Sequence, residues 1–200
     1  MDTVLFDLGG VLIDWNPRYL YRPLFRGDDA AMEDFLARVC PPEWNHQMDE
    51  GKPFAEAVAE RQRLFPEHAA LIAQWYEGWP HMLRDEIPGT VAILRELRGR
   101  GVRLFALTNW SAETFPLARA RYPFLAWFED IVVSGEVALA KPDPRIFELT
   151  VRRTGLDPAT TLFTDDSPRN VDAARACGLR AELFTEPQRL RATMEAFQLL

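Results

Sequence analysis

Four short stretches of this 200-residue chain carry side chains from which acid–base, nucleophilic or charge-stabilising chemistry is built. Asp7 follows an apolar run at residues 3–6 and precedes Gly9-Gly10. Thr108-Asn109, a hydroxyl and an amide, closes the apolar run at residues 102–107. Lys141-Pro142-Asp143 supplies a positive charge, and Asp165-Asp166-Ser167 follows the run at residues 161–163. Each has a plain structural role as well. An Asp after a strand makes turns, and Asn109 or Ser111 could simply cap the next helix. Their joint occurrence in this order, each beside a strand end or a helix start, is the informative feature.

The elements that must position them follow from the pattern. Continuous apolar runs at residues 3–6, 102–107, 131–133, 161–163 and 180–184 suit strands buried on both faces, as in a parallel sheet. Between them, residues 90–100 place Val91, Leu94 and Leu97 on one stripe, and residues 144–154 do so with Ile146, Leu149 and Val151. The second helix has a start signal: Asp143 as N-cap and Pro144 in the first turn, where its missing N–H costs nothing. Strand alternating with helix predicts right-handed crossovers and a doubly wound α/β sheet. Ligands bind such sheets beyond the carboxyl ends of the strands, so the chemical stretches converge on one crevice.

Residues 7–101 are far too long for one crossover. Helical stretches at 18–25, 30–39, 53–65 and 67–79, punctuated by prolines at 41, 42, 53, 66, 80 and 88, predict a helical insertion. The expected division is a core of residues 1–14 and 86–200 and an inserted unit of residues 15–85.

Composition removes other classes. The chain is 48% hydrophobic and 26% charged, the balance of a soluble globular protein. A net charge of −7 argues against a nucleic-acid surface. Cys40 and Cys177 form neither a zinc spacing nor a disulfide framework, which fits a reducing, cytoplasmic setting. No apolar run approaches the roughly 18 residues of a membrane helix, and Met1-Asp2-Thr3 lacks a signal peptide's basic flank. The expected partner is a small molecule, with no nucleic acid and no membrane.

Phe6-Asp7-Leu8-Gly9-Gly10-Val11, Leu107-Thr108-Asn109, Lys141-Pro142-Asp143-Pro144 and Phe163-Thr164-Asp165-Asp166-Ser167 resemble, in order, the four motifs of the haloacid dehalogenase (HAD) superfamily. The helical interval resembles the cap of its subfamily I members, and the likeness runs over residues 3–184. The resemblance implies a Rossmann-like core with an α-helical cap and a magnesium-dependent phosphatase acting on a small organic phosphate. Asp7 would attack phosphorus to give an aspartyl-phosphate. Mg²⁺ would be held by Asp7, the Gly9 carbonyl and Asp166, with Asp165 and Asn170 in support. Thr108 and Asn109 would donate to the phosphoryl oxygens, and Lys141 would serve Asp7 and the phosphoryl group together.

One position departs from the family pattern. The usual acid–base Asp two residues after the nucleophile is here Gly9, and loss of such an acid costs on the order of 10²–10⁴ in rate. Halide leaves without protonation, so a 2-haloacid dehalogenase using Asp7 is the alternative reading. A weakly active or binding-only protein is a third. The paired Asp165-Asp166, where dehalogenases resemble this chain with Ser and Asn, favours the metal-dependent reading. In the cap, Arg18, Arg22, Trp15 and Lys52 are the expected substrate contacts, with Tyr19, Trp44, His46, Gln47 and Glu50 in the same stretch. Trp75 and Trp79 are expected in the insertion's own core.

Overall fold

The computed structural model describes residues 1–200. Strand β1 (Thr3–Phe6) leads into a short strand β2 (Ile13–Trp15). Five helices follow: α1 (Arg18–Leu24), α2 (Asp29–Arg38), α3 (Pro42–Asp49), α4 (Phe54–Leu64) and α5 (Ala69–Glu77). The chain returns through β3 (Leu83–Glu86) and continues as α6 (Pro88–Gly99), β4 (Arg103–Thr108), α7 (Phe115–Arg121), β5 (Asp130–Val133) and α8 (Ser134–Val137). It ends with α9 (Pro144–Thr154), β6 (Thr161–Asp165), α10 (Pro168–Ala176), β7 (Arg180–Leu183) and α11 (Pro187–Ala196).

Five strands form one sheet in the order β5-β4-β1-β6-β7, and every neighbouring pair is parallel. The chain builds outward from β1 on one side, then crosses to the other, which is the doubly wound, Rossmann-like arrangement. Both faces are covered, so the strands read as apolar runs rather than alternations. β1 sends Val4 and Phe6 into one core and Leu5 into the other. β4 divides likewise, with Leu104 and Ala106 on one side and Phe105 and Leu107 on the other.

The α9 start signal works as its residues predict. The Asp143 carboxylate accepts the Arg145 N–H at 2.9 Å, and Gly155, at φ +66°, ends the helix. The buried face is Ile146, Phe147 and Thr150, however, and Leu149 and Val151 are only half-buried beside it. The expected stripe was therefore rotated from the real one, because Phe147 and Thr150 are its central members.

The helical insertion leaves and rejoins the sheet through a two-stranded ribbon. β2 pairs antiparallel with β3, Trp15 opposite Leu83 and Ile13 opposite Glu86. Neither strand is long enough to show a sequence period. α3 was also missed, because Pro41-Pro42 reads as punctuation. Pro42 instead occupies the first turn of the helix, where proline is tolerated. The insertion's core is aromatic: Tyr21 lies 5.1 Å from Phe35 and 5.9 Å from Trp75, and Trp44 lies 5.4 Å from Trp75, centroid to centroid. Cys40 and Cys177 are both free. No helix is long and apolar enough to cross a membrane.

Candidate active site

Parallel register brings the motifs together. Phe6 is level with Ala106 on β4 and Thr164 on β6, so Asp7, Leu107 and Asp165 emerge one step later at the same sheet edge. The Asp7 N–H donates to the Thr164 carbonyl at 2.9 Å and fixes the nucleophile candidate against β6.

Lys141 enters from the loop before α9 and is 1% exposed. Its Nζ donates to the Leu107 carbonyl at 2.8 Å and to Asp165 Oδ2 at 2.6 Å, and it lies 2.9 Å from Asp7 Oδ1. Burial works to lower its pKa, but the carboxylates of Asp165 and Asp7 overcome this and hold the ammonium above its usual range.

Asp165 is a strut. Oδ1 accepts the Ser167 N–H at 2.8 Å and Asn170 Nδ2 at 3.0 Å, while Oδ2 is taken by Lys141. Asn170 therefore anchors the Asp165 carboxylate. Asp166 stands beyond, exposed at the rim. Gly10, at φ +74°, makes room for it, since a Cβ there would lie 2.3 Å from Asp166 Oδ2.

Asp7, Asp165 and Asp166 each offer an oxygen within 4.8 Å of the others. Lys141 alone opposes them. Burial pushes Asp7 up to about 7; Asp165 and Asp166 add to the rise and Lys141 opposes it. Asp166 is also raised, first by partial desolvation at the cavity rim and then by Asp165. The raised Asp7 favours a neutral acid, whereas the raised Lys141 records an ionised partner. We assign Asp7 as the carboxylate, because Lys141 and the Leu8 N–H, at 2.8 Å, both address Oδ1. The leftover negative charge and the oxygen donors suit a small divalent cation held by Asp7, Asp166 and the Gly9 main chain.

Thr108 is buried, and its Oγ1 has no hydrogen-bond partner although it lines the same cavity. A buried hydroxyl without a partner costs stability unless a ligand oxygen completes it. Asn109 differs from expectation. Its side chain donates to the Lys141 carbonyl and accepts the Lys141 N–H, both at 2.8 Å. The amide clamps the lysine loop, which ties the side chain down where it was expected to serve a ligand.

The site opens into a cavity of about 760 Å³ between the strand ends and the helical insertion. Trp15, Leu36, Cys40, Trp75, Trp79 and Trp110 give it apolar walls, and Arg18, Glu33, Asn45, His46 and Asp49 face the same space. Trp75 and Trp79 thus serve both the insertion's core and the cavity wall. Burial pushes the Cys40 thiol up to about 12, against a smaller opposing pull from Arg61, so this wall residue is an inert apolar surface. Arg18 lines the mouth and is paired with Glu33. Arg22 and Lys52 do not reach the cavity. Arg22 is exposed and pairs with Asp29, and Lys52 is turned toward Glu60 and Glu56 on α4. Gln47 and Glu50 are exposed, and Trp44 packs into the insertion's core. Asp49 and Asn45 were missed because α3 was missed; their four-residue spacing puts them on one helical face.

A family model for haloacid dehalogenase-like hydrolases matches residues 1–178. The chain belongs to that family. This HAD-like hydrolase is 28% identical to sesquiterpene phosphatase astK of Aspergillus oryzae, over 99% of this chain and 96% of the relative. Its fold is similar to that of a HAD family enzyme of Bacteroides thetaiotaomicron in complex with magnesium and inorganic phosphate. The TM-score is 0.70 at 23% identity, covering 92% of this chain and 94% of the other. It is equally similar in fold to an L-2-haloacid dehalogenase, with TM-score 0.72 at 19% identity, covering 98% and 99%. Fold likeness therefore spans both chemistries named for the superfamily, and the site residues must distinguish them.

Proposed function

We propose that this HAD-like hydrolase is a magnesium-dependent phosphatase that cleaves a small organic phosphate monoester through an aspartyl-phosphate on Asp7. The carrying observation is the Asp7–Asp165–Asp166 cluster, under-neutralised by Lys141 and adjacent to the unpartnered Thr108 hydroxyl. Asp7 Oδ2 attacks phosphorus, while Lys141 holds Oδ1 and keeps the side chain aimed. The Thr108 hydroxyl and the Asn109 N–H donate to the transferred oxygens as negative charge gathers there. Asp165, tied by Asn170 and Ser167, keeps Lys141 in place. When bound by Asp7, Asp166 and the Gly9 carbonyl, Mg²⁺ supplies the charge neutralisation that lets a carboxylate meet a phosphate dianion. Water then releases phosphate and regenerates Asp7.

Residues 15–85 act in this reading as a cap on a core of residues 1–14 and 86–200, hinged at the β2–β3 ribbon, and exclude water when closed. The tryptophan-rich walls favour an organic group with an apolar body. The sesquiterpene phosphatase relative supports the same direction. The phosphate-bearing end is expected at Asp7 and the apolar end against the Trp15 and Trp79 rings, which lie 5.8 Å apart on the cavity wall.

Gly9 favours one rival, a 2-haloacid dehalogenase, because halide needs no acid. A neutral carbon–halogen centre, however, gives three crowded carboxylates no purpose. The deciding assay sets aryl phosphate hydrolysis, with and without Mg²⁺, beside halide release from 2-chloropropionate. Chelator-sensitive phosphate release that Asp7→Asn abolishes supports the proposal. Chelator-indifferent halide release overturns it, and silence in both assays supports the binding-only reading.

A further inference from the structure

We propose that Asp49, reaching in from helix α3, is the acid–base residue of this site and replaces the carboxyl group absent at Gly9. This rests on the phosphatase reading. Asp49 is 8% exposed yet lines the cavity that also holds Asp7, Thr108 and Asp166. It makes no hydrogen bond to those residues. Its side-chain partner is Asn45, whose Nδ2 donates to Oδ2 at 3.0 Å. Asn45 is itself fixed, because its Oδ1 accepts the Trp75 indole N–H at 3.0 Å. That bond sets which end of the amide faces Asp49, so the carboxyl group is held by a neutral donor. Such a donor favours the carboxylate less than a paired cation would, and no ion pair holds Asp49, so the buried surroundings govern its proton.

The surroundings agree. Burial pushes Asp49 up to about 7, Glu50 and Asp7 add to the rise, and Lys141 and the Ser111 main chain oppose it. His46, one turn earlier on α3, pairs with Glu50 at 3.5 Å. A general acid is most effective with a pKa near the working pH. At the Gly9 position the space is open, since a Cβ there would meet nothing within 4 Å. No neighbouring side chain has filled it from the core, which leaves the cap to supply the acid.

The step balances. As the Asp7 oxygen–phosphorus bond forms and the bond to the leaving oxygen breaks, the Asp49 proton passes to that oxygen and an alcohol departs. Water then adds to phosphorus, its proton goes to the Asp49 carboxylate, and the bond to Asp7 breaks to release phosphate.

The test compares benzyl phosphate, a poor leaving group, with p-nitrophenyl phosphate, which leaves without a proton. In single turnovers followed by release of the alcohol or nitrophenol, which read only the first half-reaction, Asp49→Asn is expected to slow benzyl phosphate by about 10²–10⁴ and p-nitrophenyl phosphate by less than about tenfold. Adding Gly9→Asp to that variant is expected to restore part of the benzyl phosphate rate. In the unaltered protein, kcat for benzyl phosphate is expected to fall on the alkaline side, with no such fall for the aryl ester; this arm holds even if the variant fails to fold. Equal losses on both esters, or a benzyl phosphate rate without the alkaline fall, would make Asp49 a structural pin and overturn the proposal. Unaltered protein inert toward both esters with Mg²⁺ would overturn the phosphatase reading, and this one with it.

Discussion

Lys141 Nζ lies 2.6 Å from Asp165 Oδ2, and both side chains are shut off from solvent. The pair is the keystone of the strand-end site, because the same ammonium also meets Asp7 and the Leu107 carbonyl. Removing one member of a buried pair leaves the other charged and unsatisfied, at a cost of about 3–5 kcal/mol. Lys141→Met is therefore expected to lower the unfolding free energy, read from urea melts, by that amount and to abolish turnover. Lys141→Arg should not rescue either property, since the larger guanidinium has no space at 1% exposure.

The carboxylate cluster leads to an expectation independent of turnover. Mg²⁺ at 100 times its dissociation constant should stabilise the folded protein by about 2.7 kcal/mol. Differential scanning calorimetry should show a higher melting temperature with Mg²⁺, reversed by EDTA. Asp166→Asn should remove most of the shift, because Asp165 is already committed to Lys141, Ser167 and Asn170.

Two adjacent glycines should behave differently. A Cβ at Gly10 would strike Asp166 Oδ2 and sit at φ +74°, a backbone region that costs an L residue roughly 1–2 kcal/mol. Gly10→Ala should weaken Mg²⁺ binding, measured by titration calorimetry. Gly9→Ala, with nothing within 4 Å of the new Cβ, should leave it nearly intact.

Asp49 makes stability depend on pH. Its folded pKa, about 7, lies above the ordinary carboxylate value of 3.8. Its contribution is therefore full below about pH 4, where both folded and unfolded forms hold the proton. It is lost as pH rises toward 7, because only the unfolded form ionises freely. Asp49→Asn should be more stable than the parent at pH 8, by roughly 2–4 kcal/mol, and equal to it near pH 4. Urea melts at the two pH values check this.

Much of this was legible in the chain. The core strands announce themselves because parallel strands buried on both faces must be apolar throughout, as Val4, Leu5 and Phe6 are. The site residues follow because strand ends in such a sheet share one edge. The insertion was legible as helices but not as a surface. Which way Arg22 or Lys52 points depends on acidic neighbours, Asp29 and Glu60, that a linear reading cannot rank. Asn109 shows the same gap: its type fits a phosphoryl donor, and only the tertiary approach of Lys141 reveals the clamp. Asp49 stayed hidden because its helix begins at a proline.

The central claim is covalent chemistry on Asp7. Rapid acid quench during p-nitrophenyl phosphate turnover with Mg²⁺, followed by borohydride reduction and peptide mass mapping, reads it directly. Homoserine at the Asp7 position, absent when Mg²⁺ is chelated, is the expected result. Sustained phosphate release by Asp7→Asn at the unaltered rate, with no reduced residue at that position in the parent, would contradict it.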